Sequence, residues 1–382
     1  MSEIIRGFVY RLKPTDKQVN LINQTFGCVR KMWNTLLFER KSIYELFGQY
    51  PELLNSHDYM NPKYIKEQLP YMYDIDSQSL TTTWLNLKNA YANFFHKSHQ
   101  EPRYKSRHHD IQSYTTHTIN NNIRIEGTYL KLPKLGLVKI KLHRPLPKGA
   151  IIKAATIKRK AGKYDVSLRI KYEHEEKLEK TFQKAIGLDY ALHGLYVDSK
   201  GNNADYPNYY KQSLKKLVKE QRMLSRRHKG SQNYLDQKTK VARLHQHIKH
   251  QRKDFLHQAS RYLVNTYDVI SIETLDLTEM AKTKHFRKSM SDTSYGTFTK
   301  YLEYKAAYEG KTFIKIDKYY PSTKTCSICG KIHDIPLSER TYRCECGHVM
   351  DRDLNAAMNI GVQGLLKYMK QAYGTDVLSL VN

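Results

Sequence analysis

Four of the chain's five cysteines fall between residues 326 and 346, as Cys326-x-x-Cys329 and Cys344-x-Cys346, with Gly330 and Gly347 directly behind each pair. Two thiolate pairs joined by a fourteen-residue knuckle are the pattern of a zinc ribbon. Four soft ligands close a tetrahedral site with no position left for a substrate, so the zinc is expected to hold the segment together and not to catalyse. The second pair is one residue tighter than the usual gap, which leaves His348, and less readily His333, as an alternative fourth ligand. Cys28 stands alone inside an apolar helical pattern and is expected in the core. Clustered thiols of this kind belong in a reducing compartment and argue for metal, not disulfides.

Charge narrows the partner. Lys and Arg number 64 against 37 Asp and Glu, a formal net charge of +27, far more than solubility requires. A polyanion is the simplest explanation. Thirty tyrosines add aromatic faces suited to stacking on unpaired bases, although most are expected as half-buried strand and helix residues. No apolar run is long enough to cross a bilayer, and the start, MSEIIRGFVYRLKP, lacks a charged-then-apolar leader. A cytoplasmic protein of the prokaryotic cytosol or nucleoid is expected. At 382 residues, two or more cooperating units are the default.

Periodicity then divides the chain. IIRGFVYRL is a strand stopped by Pro14, and Thr15 with Gln18 forms a capping box ahead of Val19, Ile22, Phe26, Val29, Trp33 and Leu36 at helical spacing. Leu80, Trp84, Leu87, Tyr91 and Phe94 repeat that spacing, so residues 15–100 are expected as a helical lobe. It ends in HKSHQEPRYKSRHH, where Arg103, Tyr104, Lys105 and Arg107 are candidate nucleic-acid contacts. From about residue 112 the period becomes two, through Val138, Ile140 and Leu142 and again through Tyr164, Val166, Leu168, Ile170 and Tyr172. With the first strand these could close a small barrel around which the helical lobe is inserted. Further on come AIGLDYALHGLYVD, a turn at Ser199–Gly201, and two basic helices. The second helix carries Val241, Leu244, Ile248 and Phe255 on one stripe and Arg243, Lys249, Arg252 and Lys253, further candidate nucleic-acid contacts, on its other sides. A solvated basic face explains about half of those cations equally well. The strand YDVISIE, a basic loop through Lys282, Lys284 and Arg287, a helix around Leu302–Tyr308 and the strand KTFIKID complete the series.

Two of these strands end in acids. Asp189 closes AIGLD and Glu273 closes VISIE, where a buried carboxylate without a partner costs several kcal/mol. Something cationic should meet them. A third acid lies in HVMDRDLNAAMNI, where Asp351 and Asp353 both precede a helix-forming run and either could cap it while the other binds metal. Three such oxygens suit Mg²⁺ or Mn²⁺, and two ions roughly 3.5–4 Å apart can drive phosphodiester hydrolysis without a protein nucleophile.

With these residues in place the chain resembles the TnpB family, transposon-encoded relatives of type V CRISPR effectors. GLDYA, ISIETLDL, YLEYKAAYEGKTFIKIDKYYPSTKTCSICG and CECGHVMDRDLNAAMNI carry the likeness in the family's order, with YRLKPTDKQVNLINQTFGCVRKMWN and TYLKLPKLGLVKIKLHRPL matching its opening and middle. The resemblance implies that Asp189, Glu273 and Asp353 are the RuvC catalytic triad holding magnesium, and that Cys326, Cys329, Cys344 and Cys346 hold structural zinc. It implies a bilobed α+β multidomain fold. Residues 1–14 and 112–178 would form a wedge-like β-barrel, 15–111 a helical recognition lobe, 179–319 and 351–382 a RuvC/RNase H-like α/β nuclease domain, and 320–350 an inserted zinc ribbon. The implied function is RNA-guided DNA cleavage beside a short adjacent motif, by one protein with one guide RNA from the transposon end. Tyr190, where a small or aliphatic residue is common, and the short second cysteine pair depart from the family. A cleavage-inactive guide-binding regulator, a guide-free RuvC nuclease and a DNA-joining transposase are the rival functions, and the presence of all three acids speaks against the first.

Overall fold

A computed structural model describes residues 2–48, 61–108, 111–175, 182–192, 194–280, 282, 293–336 and 339–374. The chain divides into two compact units, Met1–Glu175 and Glu176–Asn382.

In the first unit, β1 (Ser2–Lys13) is followed by α1 (Asp16–Phe47), α2 (Pro62–Gln68) and α3 (Ser77–Phe95). Six strands come next: β2 (Ile111–His117), β3 (Arg124–Glu126), β4 (Tyr129–Leu132), β5 (Gly136–Lys141), β6 (Ile151–Lys160) and β7 (Lys163–His174). The capping box forms as the sequence predicts: Gln18 N donates to Thr15 Oγ1 and Thr15 N to Gln18 Oε1. The Gln18 amide also reaches the Leu135 and Leu137 carbonyls at 3.1 and 2.8 Å, tying the start of α1 to the sheet. Alternate residues of the strands, among them Tyr10, Leu12, Ile140, Val166, Leu168 and Ile170, are buried with Ile22, Phe26, Val29, Trp33 and Leu36 of α1 and Leu80 and Leu87 of α3. Cys28 is buried in this core.

The expected barrel does not close. The antiparallel strands lie in the order β2-β6-β7-β1-β5-β4-β3, an open half-barrel with β2 and β3 at its edges. With only three and four residues, β3 and β4 are too short to reach round and complete the ladder. Leu142 is correspondingly exposed, one residue past the end of β5.

The second unit is built on a sheet of order β11-β10-β8-β9, formed by β8 (Ala185–Ala191), β9 (Leu195–Asp198), β10 (Val269–Ile272) and β11 (Thr312–Lys315). β10 runs parallel to both β8 and β11, and β9 runs antiparallel at the edge. Helices α4 (Tyr209–Ser225), α5 (Gln232–Thr266) and α6 (Tyr295–Tyr308) precede the last sheet strand, and α6 begins well ahead of the expected Leu302. α7 (Arg352–Tyr373) follows a small ribbon made of β12 (Thr341–Arg343) and β13 (Val349–Asp351).

Both faces of this sheet are covered, which is why its strands are almost continuously apolar. Ile186, Leu188, Ile270 and Ile272 pack with Leu256, Leu263 and Val264 of α5 and with Tyr295, Phe298 and Leu302 of α6. The opposite face packs on α7, with Val269 and Ile314 against Tyr368 and small residues where the helix comes closest. A Cβ on Gly187 would overlap the Ala357 carbonyl and the Gly361 amide of α7, and one on Gly364 would overlap the Ser271 side chain. The helix therefore lies directly on the backbone of β8.

Candidate metal centres

β8 and β10 pair in parallel with Leu188 beside Ile272, so the next residues, Asp189 and Glu273, stand side by side where that ladder stops; β10 ends there, whereas β8 runs on to Ala191 along β9, so Asp189 lies within the strand it was expected to close. Asp189 is 6% exposed. Glu273 Oε1 accepts the Tyr190 amide at 3.3 Å. Burial first, and then the negative charges of Glu273 and Asp353, raise the Asp189 pKa well above the usual carboxylate range, while burial raises that of Glu273. Among the described residues neither acid has an ion-pair partner.

α7 supplies the third acid. Asp351 is its N-cap: Oδ1 accepts the amides of Asp353 and Leu354 at 2.9 and 3.0 Å. Asp353, in the first turn, pairs instead with Arg340 at 3.3 Å and Arg352 at 3.5 Å. Those arginines were not candidates in the sequence, though Arg352 stands between the two acids. Buried Asp189 and half-buried Glu273 are mutually repelling hard oxygen donors of the kind that hold Mg²⁺ or Mn²⁺, whereas the Asp353 carboxylate already has two guanidinium partners, and among the described residues only the four cysteines gather as a metal-holding group.

The thiolate cluster is tighter. The sulfurs of Cys326, Cys329, Cys344 and Cys346 all lie within 4.8 Å of one another. Cys326 and Cys346 are 3.8 Å apart and Cys329 and Cys344 3.5 Å apart, close to the edge of a tetrahedron with Zn–S bonds of about 2.3 Å. This donor set fits zinc. The histidines fall in the reverse order to expectation: His333 Nε2 is 3.2 Å from the Cys344 sulfur, whereas His348 Nε2 faces Ser327 Oγ at 3.3 Å. The tight C-x-C is accommodated by a turn in which Gly347 takes φ 88° and the Cys344 amide bonds the His348 carbonyl, closing β12 onto β13.

The candidate nucleic-acid contacts occupy two places. In the first unit, residues 103–105 are fastened to α1: Trp33 Nε1 donates to the Arg103 carbonyl, and Asn34 exchanges two hydrogen bonds with the Lys105 backbone. Arg103, Tyr104, Lys105 and Arg107 are exposed. In the second unit Arg243, Lys249 and Lys253 are exposed on α5, but Arg252 is half-buried. Lys282 pairs with Glu279 at 2.6 Å, while Lys284 and Arg287 lie outside the described residues.

Comparison with known proteins places this arrangement. A profile described as "Probable transposase" matches residues 167–284, one for the Cas12f1-like TNB domain matches 295–360, and one for a helix-turn-helix domain matches 1–49, where this chain has a strand and one long helix. The protein of a solved Cas12f1–sgRNA–target DNA complex superimposes with a TM-score of 0.54 at 12% identity, over 94% of this chain and 99% of that one. The fold is thus mixed α+β and Cas12f-like. A Streptomyces pristinaespiralis protein named "Putative RNA-guided DNA endonuclease" is 34% identical over 372 residues, 96% of this chain and 90% of its own length. An Escherichia coli K12 protein named "Putative RNA-guided DNA endonuclease InsQ" is 26% identical over 378 residues, 94% of this chain and 92% of its own length. A TnpB-like protein of Acanthamoeba polyphaga mimivirus, L79, is 33% identical over 138 residues, 34% of this chain and 26% of its own. The chain belongs to the TnpB family.

Proposed function

We propose that this protein is an RNA-guided DNA endonuclease that binds a structured RNA from its transposon end and cuts complementary DNA beside a short adjacent motif. The observation that carries the reading is the pair Asp189, buried, and Glu273, half-buried, side by side where the parallel pairing of β8 and β10 stops and without an ion-pair partner among the described residues. With Asp353 they would hold Mg²⁺ or Mn²⁺ in a RuvC-like site, where the ions supply activation of water and stabilisation of the leaving oxygen of a phosphodiester. The protein's own contribution is positional. Asp189 and Glu273 are fixed on adjacent strands, and Arg340 and Arg352 hold Asp353 while adding positive charge where a phosphate must approach.

On this reading residues 1–14 and 112–178 are the wedge-like domain, 15–111 the recognition lobe, 179–319 and 351–382 the nuclease domain and 320–350 a zinc ribbon that stabilises the start of α7. The excess of 64 basic over 37 acidic residues suits a guide–target duplex read by its backbone, one RNA per protein chain. Work in the prokaryotic cytosol follows from such partners, and no helix among the described residues is long and apolar enough to cross a membrane.

Expression with the flanking transposon DNA, sequencing of co-purified RNA, and a Mg²⁺-dependent cleavage assay on a matched target test the proposal. Retention of one defined RNA with cutting of the matched target alone is expected. Cutting without RNA would favour a guide-free nuclease, and RNA retention without cutting a regulator.

A further inference from the structure

The first unit contains a cavity of about 360 Å³ that the cleavage chemistry does not use. One wall is α1, through Phe26, Val29 and Arg30, and the other is formed by residues 104–106 and 111–113. At the small end of the range of about 300–1,000 Å³ typical of ligand sites, it admits one flat molecule and no duplex.

Its chemistry is mixed in a specific way. The Tyr104 ring and the Ile111 side chain offer surface for a flat apolar body, over a floor to which Phe26 and Val29, 3% and 7% exposed, contribute only their edges. Arg30 and Lys105 bring two positive charges to the described part of the lining. Ser113 puts a hydroxyl on the wall, able to meet the polar edge of a base, while the Gln112 amide is held by Arg30 and the Arg107 carbonyl and stiffens the lining. A flat ring with polar edges and an attached anion describes a nucleotide more closely than a metabolite carrying only one of those properties.

The walls are also preorganised. The Arg103–Lys105 segment looks in sequence like a solvated linker, yet Trp33 Nε1 holds the Arg103 carbonyl at 3.0 Å and Asn34 grips the Lys105 carbonyl and amide at 3.0 and 2.8 Å. Lys105 Nζ lies 3.8 Å from the centre of the Trp33 ring, and Arg30 donates to Gln112 Oε1 at 3.5 Å, linking the two walls. Tyr104, held at the mouth, is 52% exposed, so its ring needs no rearrangement to stack on an incoming base.

We propose that this cavity binds a single unpaired nucleotide, with its base against Tyr104 and Phe26 and its phosphate met by Lys105 and Arg30. The proposal rests on the reading of the chain as a nucleic-acid-binding protein, but it does not depend on guided cleavage. The nucleotide could come from RNA or DNA, and the same ring and phosphate chemistry serves both.

The test measures binding of pentamers to the full-length protein carrying Trp84→Phe, so that Trp33 fluorescence reports on the cavity. The probes are oligothymidine DNA, oligouridine RNA and an abasic deoxyribose-phosphate pentamer of equal charge. At least one base-bearing pentamer is expected to bind about tenfold more tightly than the abasic one and to change Trp33 emission. Tyr104→Ala should erase that preference while leaving the abasic affinity unchanged, and Tyr104→Phe should keep it. A preference for DNA or RNA identifies the source, and equal preference places recognition in the base alone. Equal binding of all three pentamers, or a base preference that survives Tyr104→Ala, overturns the proposal. Failure of guided cleavage with the base preference intact would instead sink the endonuclease reading and leave the cavity's assignment standing.

Discussion

Asp351 Oδ1 accepts the amide hydrogens of Asp353 and Leu354 at 2.9 and 3.0 Å, so one acid caps α7 and the other keeps its carboxylate for the side chains of Arg340 and Arg352. The division of labour separates two variants. Asp351→Ala should cost about 1 kcal/mol of stability through the lost cap and reduce cutting modestly. Asp353→Ala should abolish cutting with the bound RNA retained. Thermal melts together with a Mg²⁺-dependent cleavage assay distinguish them, and full cutting by Asp353→Ala would remove that residue from the site.

Asp189 and Glu273 repel each other in a poorly solvated place. A group whose folded-state pKa is raised, like that of Asp189, favours folding at low pH and loses that contribution as pH rises. At neutral pH without divalent ions, Asp189→Asn should therefore raise the melting midpoint by a few degrees while eliminating cutting. Added Mg²⁺ should stabilise the wild type more than the variant. A lower midpoint for Asp189→Asn in chelator would contradict the electrostatic account.

Lys305, 3% exposed, donates to the His257 carbonyl and Ser260 Oγ, both at 2.7 Å, and burial, reinforced by Arg261, lowers its pKa to about 8. Between about 8 and the ordinary lysine value near 10.4, the unfolded chain binds more protons than the folded one, so stability from this group rises with pH. Denaturant unfolding of wild type and Lys305→Met from pH 7 to 10 should show the difference shifting in favour of the wild type as pH increases. A constant offset would exclude the linkage.

Replacing Cys326 by Ser should empty the ribbon of zinc and expose residues 320–350 to limited proteolysis. His333→Ala should keep the zinc, because the four sulfurs already enclose a tetrahedral site. Elemental analysis decides both, and zinc retained at wild-type level in Cys326→Ser would refute the ligand assignment.

How legible the site was in the sequence follows from what each signal encodes. The apolar runs before Asp189 and Glu273 point to two neighbouring buried strands, and β8 and β10 do pair there, although Asp189 lies inside β8 and does not end it; the cysteine spacing carries its own geometry. Asp351 and Asp353 could not be told apart, since both sit where a cap is needed and only the orientation of the first turn chooses between them. His333 approaches the sulfur because Lys324 and Thr325 fold back against the segment that carries it, a contact that spacing does not reveal. The half-barrel's failure to close depends on the length of β3 and β4, and sequence-based boundaries are least secure in such short strands. The clamp of Trp33 and Asn34 on the Arg103–Lys105 segment joins residues about seventy positions apart, beyond any local pattern.

The backbone contact of Gly187 with Gly361 has a consequence for how this domain tolerates change. Asp189 stands two residues beyond one partner and Asp353 eight residues before the other, so strand and helix act as a single stiff bracket carrying two of the three acids. Substitutions elsewhere can reshape loops and outer helices without altering the spacing of those acids, whereas any side chain wedged at this seam would spread the bracket and disable the chemistry from a distance.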